Sequence, residues 1–306
     1  MRVGAIDCGT NSFRLLIAEG DRERLRELTR ELQIVRLGQG VDASGQLHPD
    51  ALARTFAAAE RYAELLRSYG VEPAHTRVVA TSAARDARNV EQFFVGMEQR
   101  LGVRPEVIAG SEEARLSFQG ALSGIAVEGS GTVLVMDIGG GSTELVVGDS
   151  SGEIARSASL DIGSVRLTER FGLVGPVPAQ ARAAATSYVD AQLDVLDWSL
   201  GKVDVWIGVA GTVTTMAAVV RGLAVYDRAR VHGSTVQPTE ISELVDRLAS
   251  MTATQIRHVG AMEPGRADVI TAGALIADRV ARRVGRPMLV SENDILDGIA
   301  LDLLAS

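Results

Sequence analysis

"DIGGGSTE" at residues 137–144 places an aspartate at the end of an apolar run, then three glycines, two hydroxyl side chains and a second carboxylate. A related stretch, "DCGTNSFR", occupies residues 7–14. In both places strand-like apolar residues lie on either side of a glycine-containing turn, which is typical of a β-hairpin. The repetition predicts a chain built from two related halves, each opening with the same kind of hairpin.

The two stretches align without a gap when Asp7 is set against Asp137. The same alignment pairs Gly9 with Gly139, Ser12 with Ser142, and Arg14 with Glu144. A chance match between two short apolar hairpins is the alternative to a duplication. The final pair differs in charge, so one turn ends in a cation and the other in an acid.

Length and composition indicate a globular protein with two domains. The chain has 306 residues, of which 46% are hydrophobic and 23% charged, and domains typically hold about 100–150 residues. The glycine-rich stretch "SGIAVEGSG" at 123–131 suggests a boundary, so we predict domains at 1–125 and 126–306. The last helix is expected to pack back on the first domain.

Several functional classes are disfavoured by composition. No apolar stretch reaches the ~18 residues of a membrane span, and the N-terminus leads into a strand-like run rather than a signal peptide, so we expect a cytoplasmic protein without membrane association. The only cysteine, Cys8, excludes an intrachain disulfide, and four scattered histidines argue against a structural zinc site. The net charge of −8 argues against a nucleic-acid binder.

The order of predicted elements is that of an α/β protein. Three strands open each half as an antiparallel meander, and helices and strands then alternate to residue 304. The predicted strands of the two meanders are 3–7, 11–18 and 25–37, then 132–137, 143–147 and 153–160. A helix is predicted over 111–122, with Ser111 as its N-cap and two glutamates in its first turn.

Each hairpin turn is a candidate phosphate-binding site. Glycine permits a positive φ and lets an anion approach the backbone N–H groups closely, and a serine hydroxyl adds a donor. The residues concerned are Asn11, Ser12, Gly139, Gly140, Gly141 and Ser142. An ordinary glycine-rich turn is the alternative for either copy considered alone.

A third candidate loop lies in "WIGVAGTVTTMAAVV" at 206–220. Here a strand is followed by Gly211 and Thr212 at the start of a helix, where free N–H groups and the helix dipole favour an anion. The alternative is an ordinary strand-to-helix turn capped by threonines.

At the level of whole motifs, the chain resembles the exopolyphosphatase and guanosine pentaphosphate phosphohydrolase (Ppx/GppA) family of the actin, Hsp70 and sugar-kinase superfamily. The resemblance rests on seven stretches and runs from the first strand to the last helix. They are "AIDCGTNSFRLLI", "ATSAARDARN", "VIAGSEEARLSFQGAL", "VMDIGGGSTELVVG", "LDIGSVRLTERF", "GVAGTVTTMAAV" and "SENDILDGIA". It implies the short form of the family: two similar actin-like (ribonuclease H-like) domains, with mixed sheets flanked by helices and an active site in the interdomain cleft.

The resemblance also implies roles for individual residues. Glu113 matches the family's catalytic glutamate, which orients and deprotonates water. For Glu112 we expect only a structural role, in which the helix dipole favours an acid near the N-terminus of the helix. The metal-binding residues would be Asp137, Glu144 and Asp7, with Mg²⁺ or Mn²⁺ as the cofactor. Arg85 and Arg14 would contact phosphate.

The expected activity is hydrolysis of the terminal phosphoanhydride of inorganic polyphosphate. Such a reaction needs an in-line water and neutralised charge on the transferred group. Three alternatives stay open: a guanosine pentaphosphate 5′-phosphohydrolase, a kinase or ATPase of the same superfamily, and a non-catalytic sensor of polyphosphate or alarmones. Family likeness further suggests a homodimer, guanosine penta- or tetraphosphate as a ligand or inhibitor, and a part in the stringent response.

Overall fold

The computed structural model describes residues 1–21, 24–127 and 131–305. They form two compact units, the first made of residues 1–120 together with the segment that begins at Ile295, and the second of residues 121–294. The boundary that we predict after residue 125 stays a prediction, and residues 128–130 of the glycine-rich stretch lie outside the described residues.

The first unit contains a five-stranded mixed sheet with the order β3-β2-β1-β4-β5. The strands are β1 (Arg2–Cys8), β2 (Ser12–Gly20), β3 (Leu25–Ile34), β4 (Thr76–Ala80) and β5 (Glu106–Val107). The helices are α1 (Val41–Ser44), α2 (Pro49–Ser68), α3 (Ser82–Asp86), α4 (Val90–Leu101), α5 (Gly110–Gly124) and, from the end of the chain, α13 (Ile295–Ala305). The first three strands pair antiparallel, while β4 runs parallel to β1 and β5 parallel to β4.

The second unit contains a six-stranded mixed sheet with the order β10-β11-β9-β6-β7-β8. The strands are β6 (Thr132–Ile138), β7 (Thr143–Asp149), β8 (Ile154–Leu160), β9 (Val205–Val209), β10 (Thr235–Val236) and β11 (Met288–Val290). The helices are α6 (Ser164–Phe171), α7 (Ala179–Asp194), α8 (Ala210–Val220), α9 (Arg228–Val231), α10 (Pro238–Ser250), α11 (Ala253–Arg257) and α12 (Ile270–Val284). Short 3₁₀ helices at Pro73–His75 and Leu200–Lys202 complete the described elements of the two units.

The two sheets share one topology, as the repeated hairpin predicts. In each, an antiparallel meander of three strands is extended by parallel strands that pair next to its first strand. The hairpin registers are also equivalent, because Asp7 lies opposite Arg14 and Asp137 lies opposite Glu144. The predicted α/β class with two similar mixed sheets is confirmed.

The central strands β1, β6 and β9 are buried on both faces, which explains their nearly continuous apolar sequences, whereas the edge strands β3 and β8 are partly exposed. In the first unit, α2 and α4 pack on one face, and α13 packs on the other beside α5. The second unit has one larger core, in which α8, α10 and α12 cover the strands. Among the described residues, no helix is long and apolar enough to cross a membrane.

The predicted cap of α5 is wrong. The helix begins at Gly110, and the N–H groups of Glu112 and Glu113 both donate to the carbonyl of Ala109. Ala109 therefore occupies the cap position and Ser111 lies inside the first turn. Both glutamates remain in that first turn, as predicted.

Arginines near the end of α12 join this helix to α7. Arg279 donates to both oxygens of Asp190 at 2.9 Å, and Arg283 bridges Asp190 and Asp194. These ion pairs are about one fifth to one quarter exposed on the arginine side. They stabilise the contact between two helices of the second unit.

The close approach of α13 to α5 leads to a prediction about stability. A Cβ at Gly298 would lie 2.1 Å from the carbonyl oxygen of Leu116, so G298A would force the two helices apart. Gly→Ala in a helix normally stabilises a protein by ~1 kcal/mol, whereas overpacking costs about 1–3 kcal/mol. We expect G298A to lower the urea midpoint measured by far-UV circular dichroism. An unchanged or raised midpoint would contradict this packing.

Candidate active site

Two carboxylates face each other across the second hairpin. Asp137 on β6 and Glu144 on β7 are directly opposed, so their side chains share one face of the sheet with Cβ atoms ~5 Å apart. They are 6% and 1% exposed. The next position on that row is Ser159 on β8, whose hydroxyl donates to Glu144 Oε1 at 2.7 Å. Two opposed, buried acids create a site that favours a cation.

The turn between these strands is tightly closed by its own backbone. The N–H of Gly139 donates to the carbonyl of Ser142 at 3.0 Å, and Gly9 bonds to Ser12 in the same way in the first hairpin. Neither Gly9 nor Gly139 has a positive φ, so the conformational reason we give for these two glycines is wrong. Close approach favours glycine instead, because a Cβ at either position would lie 3.2 Å from the serine carbonyl oxygen, a tight contact.

The first hairpin replaces the second acid by an ion pair. Arg14 Nη2 lies 2.6 Å and Arg14 Nε 3.0 Å from the same oxygen of Asp7, which is 3% exposed. The turn residue Asn11 has a buried Oδ1 that finds no hydrogen-bond partner among the described residues. The paired residues of the first hairpin therefore form a neutral ion pair, whereas those of the second are both acids.

Glu113 is held at the start of α5 by an arginine. Its side chain is largely buried, with the residue 8% exposed. Arg85 Nη1 donates to Glu113 Oε2 at 2.8 Å and also to the carbonyl oxygen of Ile108 at 2.9 Å. The backbone contact fixes the guanidinium, and the guanidinium in turn fixes the carboxylate.

Glu112, the preceding acid, has different neighbours. Arg115 donates to both of its oxygens at 2.8 Å, and Arg77 lies 3.4 Å away. The hydrogen bond from Arg115, assisted by Arg77, holds the pKa of Glu112 below its usual value despite partial burial. Asp302 on α13 joins the same network through Arg115. Glu112 thus belongs to a structural network within the first unit, in line with the prediction that assigns catalysis to its neighbour.

The third loop begins with a strained residue. Ala210, the first residue of α8, has a φ of 66°, a left-handed conformation that is uncommon outside glycine. A Cβ at Gly211 would lie 1.5 Å from Arg266 Nη1, so the guanidinium of Arg266 covers this glycine. Thr212 is buried and packs against Gly273 of α12.

Arg266 is a cation that sequence reasoning missed. It lies in an irregular segment before α12. Its contact with Gly211 joins residues 55 positions apart in the chain, which no local sequence pattern indicates. The helix N-terminus and this guanidinium both favour an anion at the loop.

The predicted site residues are thus distributed over the two units. The first unit holds Asp7, Asn11, Ser12, Arg14, Arg85 and Glu113; the second holds Asp137, Gly139, Gly140, Gly141, Ser142, Glu144, Gly211 and Thr212. Within its unit, Asp137 is brought together with Glu144, Asp7 with Arg14, and Arg85 with Glu113. Among residues 1–21, 24–127 and 131–305, no group of three or more histidine, cysteine or acidic side chains is arranged for a metal ion.

Cys8 is not part of this chemistry. It lies on β1, is 1% exposed, and burial raises the pKa of its thiol well above the usual value. A neutral, enclosed thiol is a packed core residue.

Known proteins with similar sequences and structures are exopolyphosphatases and their relatives. The chain is 46% identical to exopolyphosphatase 2 of Mycobacterium tuberculosis, over 99% of this chain and 98% of the relative. The crystal structure of an exopolyphosphatase-like protein matches with a TM-score of 0.93 and 39% identity, covering 99% of this chain and 98% of that one. The Aquifex aeolicus member of the Ppx/GppA family matches with a TM-score of 0.81 and 29% identity, covering 99% and 97%.

The family model gives the same answer over nearly the whole length. The model described as the Ppx/GppA phosphatase family matches residues 16–305. This range includes the Glu113 helix, the second hairpin and the third loop, and the two mixed sheets agree with the matched structures. The chain belongs to the Ppx/GppA phosphatase family.

Proposed function

We propose that the protein is an exopolyphosphatase, which hydrolyses the terminal phosphoanhydride of inorganic polyphosphate and releases orthophosphate. The observation that carries the proposal is the buried Glu113 carboxylate, oriented by Arg85 at the start of α5. The full-length similarity to a mycobacterial protein named exopolyphosphatase 2 supports polyphosphate as the substrate.

Glu113 would orient the attacking water and accept its proton. A general base must be ionised and held in one orientation, and the Arg85 guanidinium favours both conditions. One carboxylate oxygen accepts from Arg85, and the proposed reaction assigns the water to the other. Because phosphoryl transfer depends mainly on positioning and charge stabilisation, no covalent intermediate on the protein is required.

Arg85 has the donors to bind phosphate without leaving its partners. A guanidinium has five N–H donors in a fixed fork. Arg85 directs Nη1 at Glu113 and Ile108, so the side chain has further N–H groups. A contact between Arg85 or Arg14 and the substrate stays a prediction.

The Asp137 and Glu144 pair fits a Mg²⁺ ion. Proteins commonly bind this ion through one or two carboxylates, with water and substrate phosphates completing its shell. Two opposed acids in a buried row provide that donor set, whereas Asp7 already accepts two hydrogen bonds from Arg14. We therefore assign the metal to Asp137 and Glu144 rather than to Asp7. When bound, such an ion would neutralise charge that develops on the transferred phosphate.

Removal of the proposed base should abolish most of the activity. We expect E113Q to fold normally and to lower kcat for polyphosphate by about 10²–10⁴-fold, because general-base help is lost. The matched control is E112Q, which changes the neighbouring acid in the Arg115 network and should keep kcat near the wild-type value. Wild-type turnover by E113Q, measured as orthophosphate release, would refute this role.

Metal binding can be tested without turnover. We expect Mg²⁺ to raise the Tm of the wild-type protein, because a ligand that binds only the folded state stabilises it. Both D137N and E144Q should reduce this shift, and each should raise the Tm of the metal-free protein by relieving repulsion between buried acids. The exposed carboxylate variant D161N serves as the control. An undiminished Mg²⁺ shift in both variants would place the ion elsewhere.

A substrate panel tests the activity itself. Orthophosphate release is measured with Mg²⁺ from long polyphosphate, short polyphosphate, guanosine pentaphosphate and ATP, together with direct binding of each compound. We expect release from polyphosphate to be fastest. Faster orthophosphate release from guanosine pentaphosphate or ATP would identify that compound as the substrate instead. Tight binding of a compound without orthophosphate release would indicate a sensor.

A further inference from the structure

The motif "LDIGSVRLTERF" at 160–171 has a direct structural role beside the second hairpin turn. Residues 164–166 of this motif donate to three successive carbonyl groups of that turn, those of Gly139, Gly140 and Gly141. Ser164 donates to Gly139 from its N–H at 3.0 Å and from its hydroxyl at 3.3 Å. The N–H groups of Val165 and Arg166 donate to Gly140 at 2.9 and 3.1 Å, and Arg166 Nε donates to Gly141 at 2.9 Å. We call residues 163–166 the turn brace.

These contacts fix the direction of the N–H groups in the turn. A trans peptide unit is planar, and its C=O and N–H point in opposite directions. When the carbonyls of residues 139, 140 and 141 point at the turn brace, the N–H groups of residues 140, 141 and 142 must point away from it. In the described part of the chain, these three N–H groups donate to no other residue.

The brace and the turn approach each other too closely for a side chain. A Cβ at Gly163 would lie 2.3 Å from the oxygen of Gly140 and 2.4 Å from the nitrogen of Gly141. The Arg166 side chain is only 11% exposed. Its Nε–H donates to the turn at the Gly141 carbonyl, and its Nη2 lies 3.7 Å from Asp161 Oδ1. The guanidinium thus contacts the turn on the side opposite to the three N–H groups.

We propose that Arg166 is a positioning residue. It holds the carbonyls of Gly140 and Gly141, and with Ser164 on Gly139 it directs the N–H groups of residues 140, 141 and 142 into a preorganised seat for a phosphoryl oxygen. The inference rests on the proposed function for its substrate, a chain of phosphates. Three N–H groups on one side of a turn bind tetrahedral oxyanions in general. Without the brace, the glycine peptides are free to rotate, and this freedom must be lost again on binding.

The first unit contains a simpler version of the same device. The carbonyl of Thr10 accepts from Gly38 N–H at 2.8 Å, and that of Asn11 accepts from Val35 and Arg36 N–H at 3.1 and 2.9 Å. These three bonds come from backbone groups of the segment that follows β3. In both units, the segment that follows the third strand of the sheet therefore holds the hairpin turn.

The test compares two arginines of the same helix. R166Q removes the donor to Gly141, whereas R170Q changes an exposed arginine that contacts Tyr188 and lies away from the turn. Binding of tripolyphosphate to each variant is measured by calorimetry, and kcat and KM for polyphosphate are measured in parallel. We expect R166Q to bind tripolyphosphate about 10- to 100-fold more weakly and to raise KM more than it lowers kcat, with R170Q unchanged.

Two further measurements separate positioning from stability. R166K retains a charge and an ammonium donor, so it should recover part of the affinity that R166Q loses. Amide hydrogen exchange at Ser164 and Val165, whose N–H groups bond to the carbonyls of Gly139 and Gly140, should follow the order wild type, R166K, R166Q from slow to fast. Wild-type tripolyphosphate affinity in R166Q would overturn the proposal, as would equal affinity losses in R166Q and R170Q. If R166Q fails to fold, a wild-type affinity and exchange rate in R166K would overturn it.

The outcome for the brace can be told apart from the outcome for the activity. If the wild-type protein releases no orthophosphate from polyphosphate but R166Q selectively loses tripolyphosphate binding, the proposed hydrolysis fails and the brace stands. If the wild-type protein hydrolyses polyphosphate and R166Q binds tripolyphosphate normally, the brace fails and the hydrolysis stands.

Discussion

The antiparallel register of the two hairpins is the constraint on which the candidate site depends. A slip of one residue would move every side chain of a strand to the opposite face of the sheet. With the observed register, the residue opposite the aspartate decides the local charge. Arg14 gives the first hairpin an internal ion pair, while Glu144 gives the second a concentration of negative charge. The difference at this one register position therefore gives the first hairpin a neutral ion pair and the second a pair of acids, which favours a cation.

The candidate base depends on a different arrangement, in which the helix start and a guanidinium act together. The first turn of α5 places two acids side by side, and successive helical residues point about 100° apart. Glu112 accordingly joins Arg115 and Asp302, while Glu113 meets Arg85. The two acids are the same residue type but have different partners. Of the two, Glu113 combines burial with an arginine partner that also donates to a backbone carbonyl.

Sequence reasoning predicted the elements that repeat and missed the contacts that are not local. The hairpins, their equivalence and the alternation of helices with strands follow from short periodic patterns, and all are present. The predicted N-cap of α5 was wrong. The first N–H groups of the helix donate to the backbone carbonyl of Ala109, and any residue type can provide that acceptor. Arg266 was missed because only the folded chain brings it to Gly211. The glycines were located correctly, but close backbone approach, rather than positive φ, explains Gly9 and Gly139.

Backbone strain provides an independent guide to the same loops. In the described chain, three residues other than glycine have positive φ, namely Arg36, Ala210 and Ala261. Arg36 lies in the segment that bonds to the first turn, and Ala210 opens the third candidate loop. Such conformations cost ~1–3 kcal/mol and persist only where surrounding contacts determine them. At Arg36 those contacts are the N–H bonds to Asn11, and at Ala210 the buried strand before it and the packed Thr212 after it. Two of the three strained residues therefore adjoin candidate phosphate loops, and the third, Ala261, lies in the irregular segment between α11 and α12.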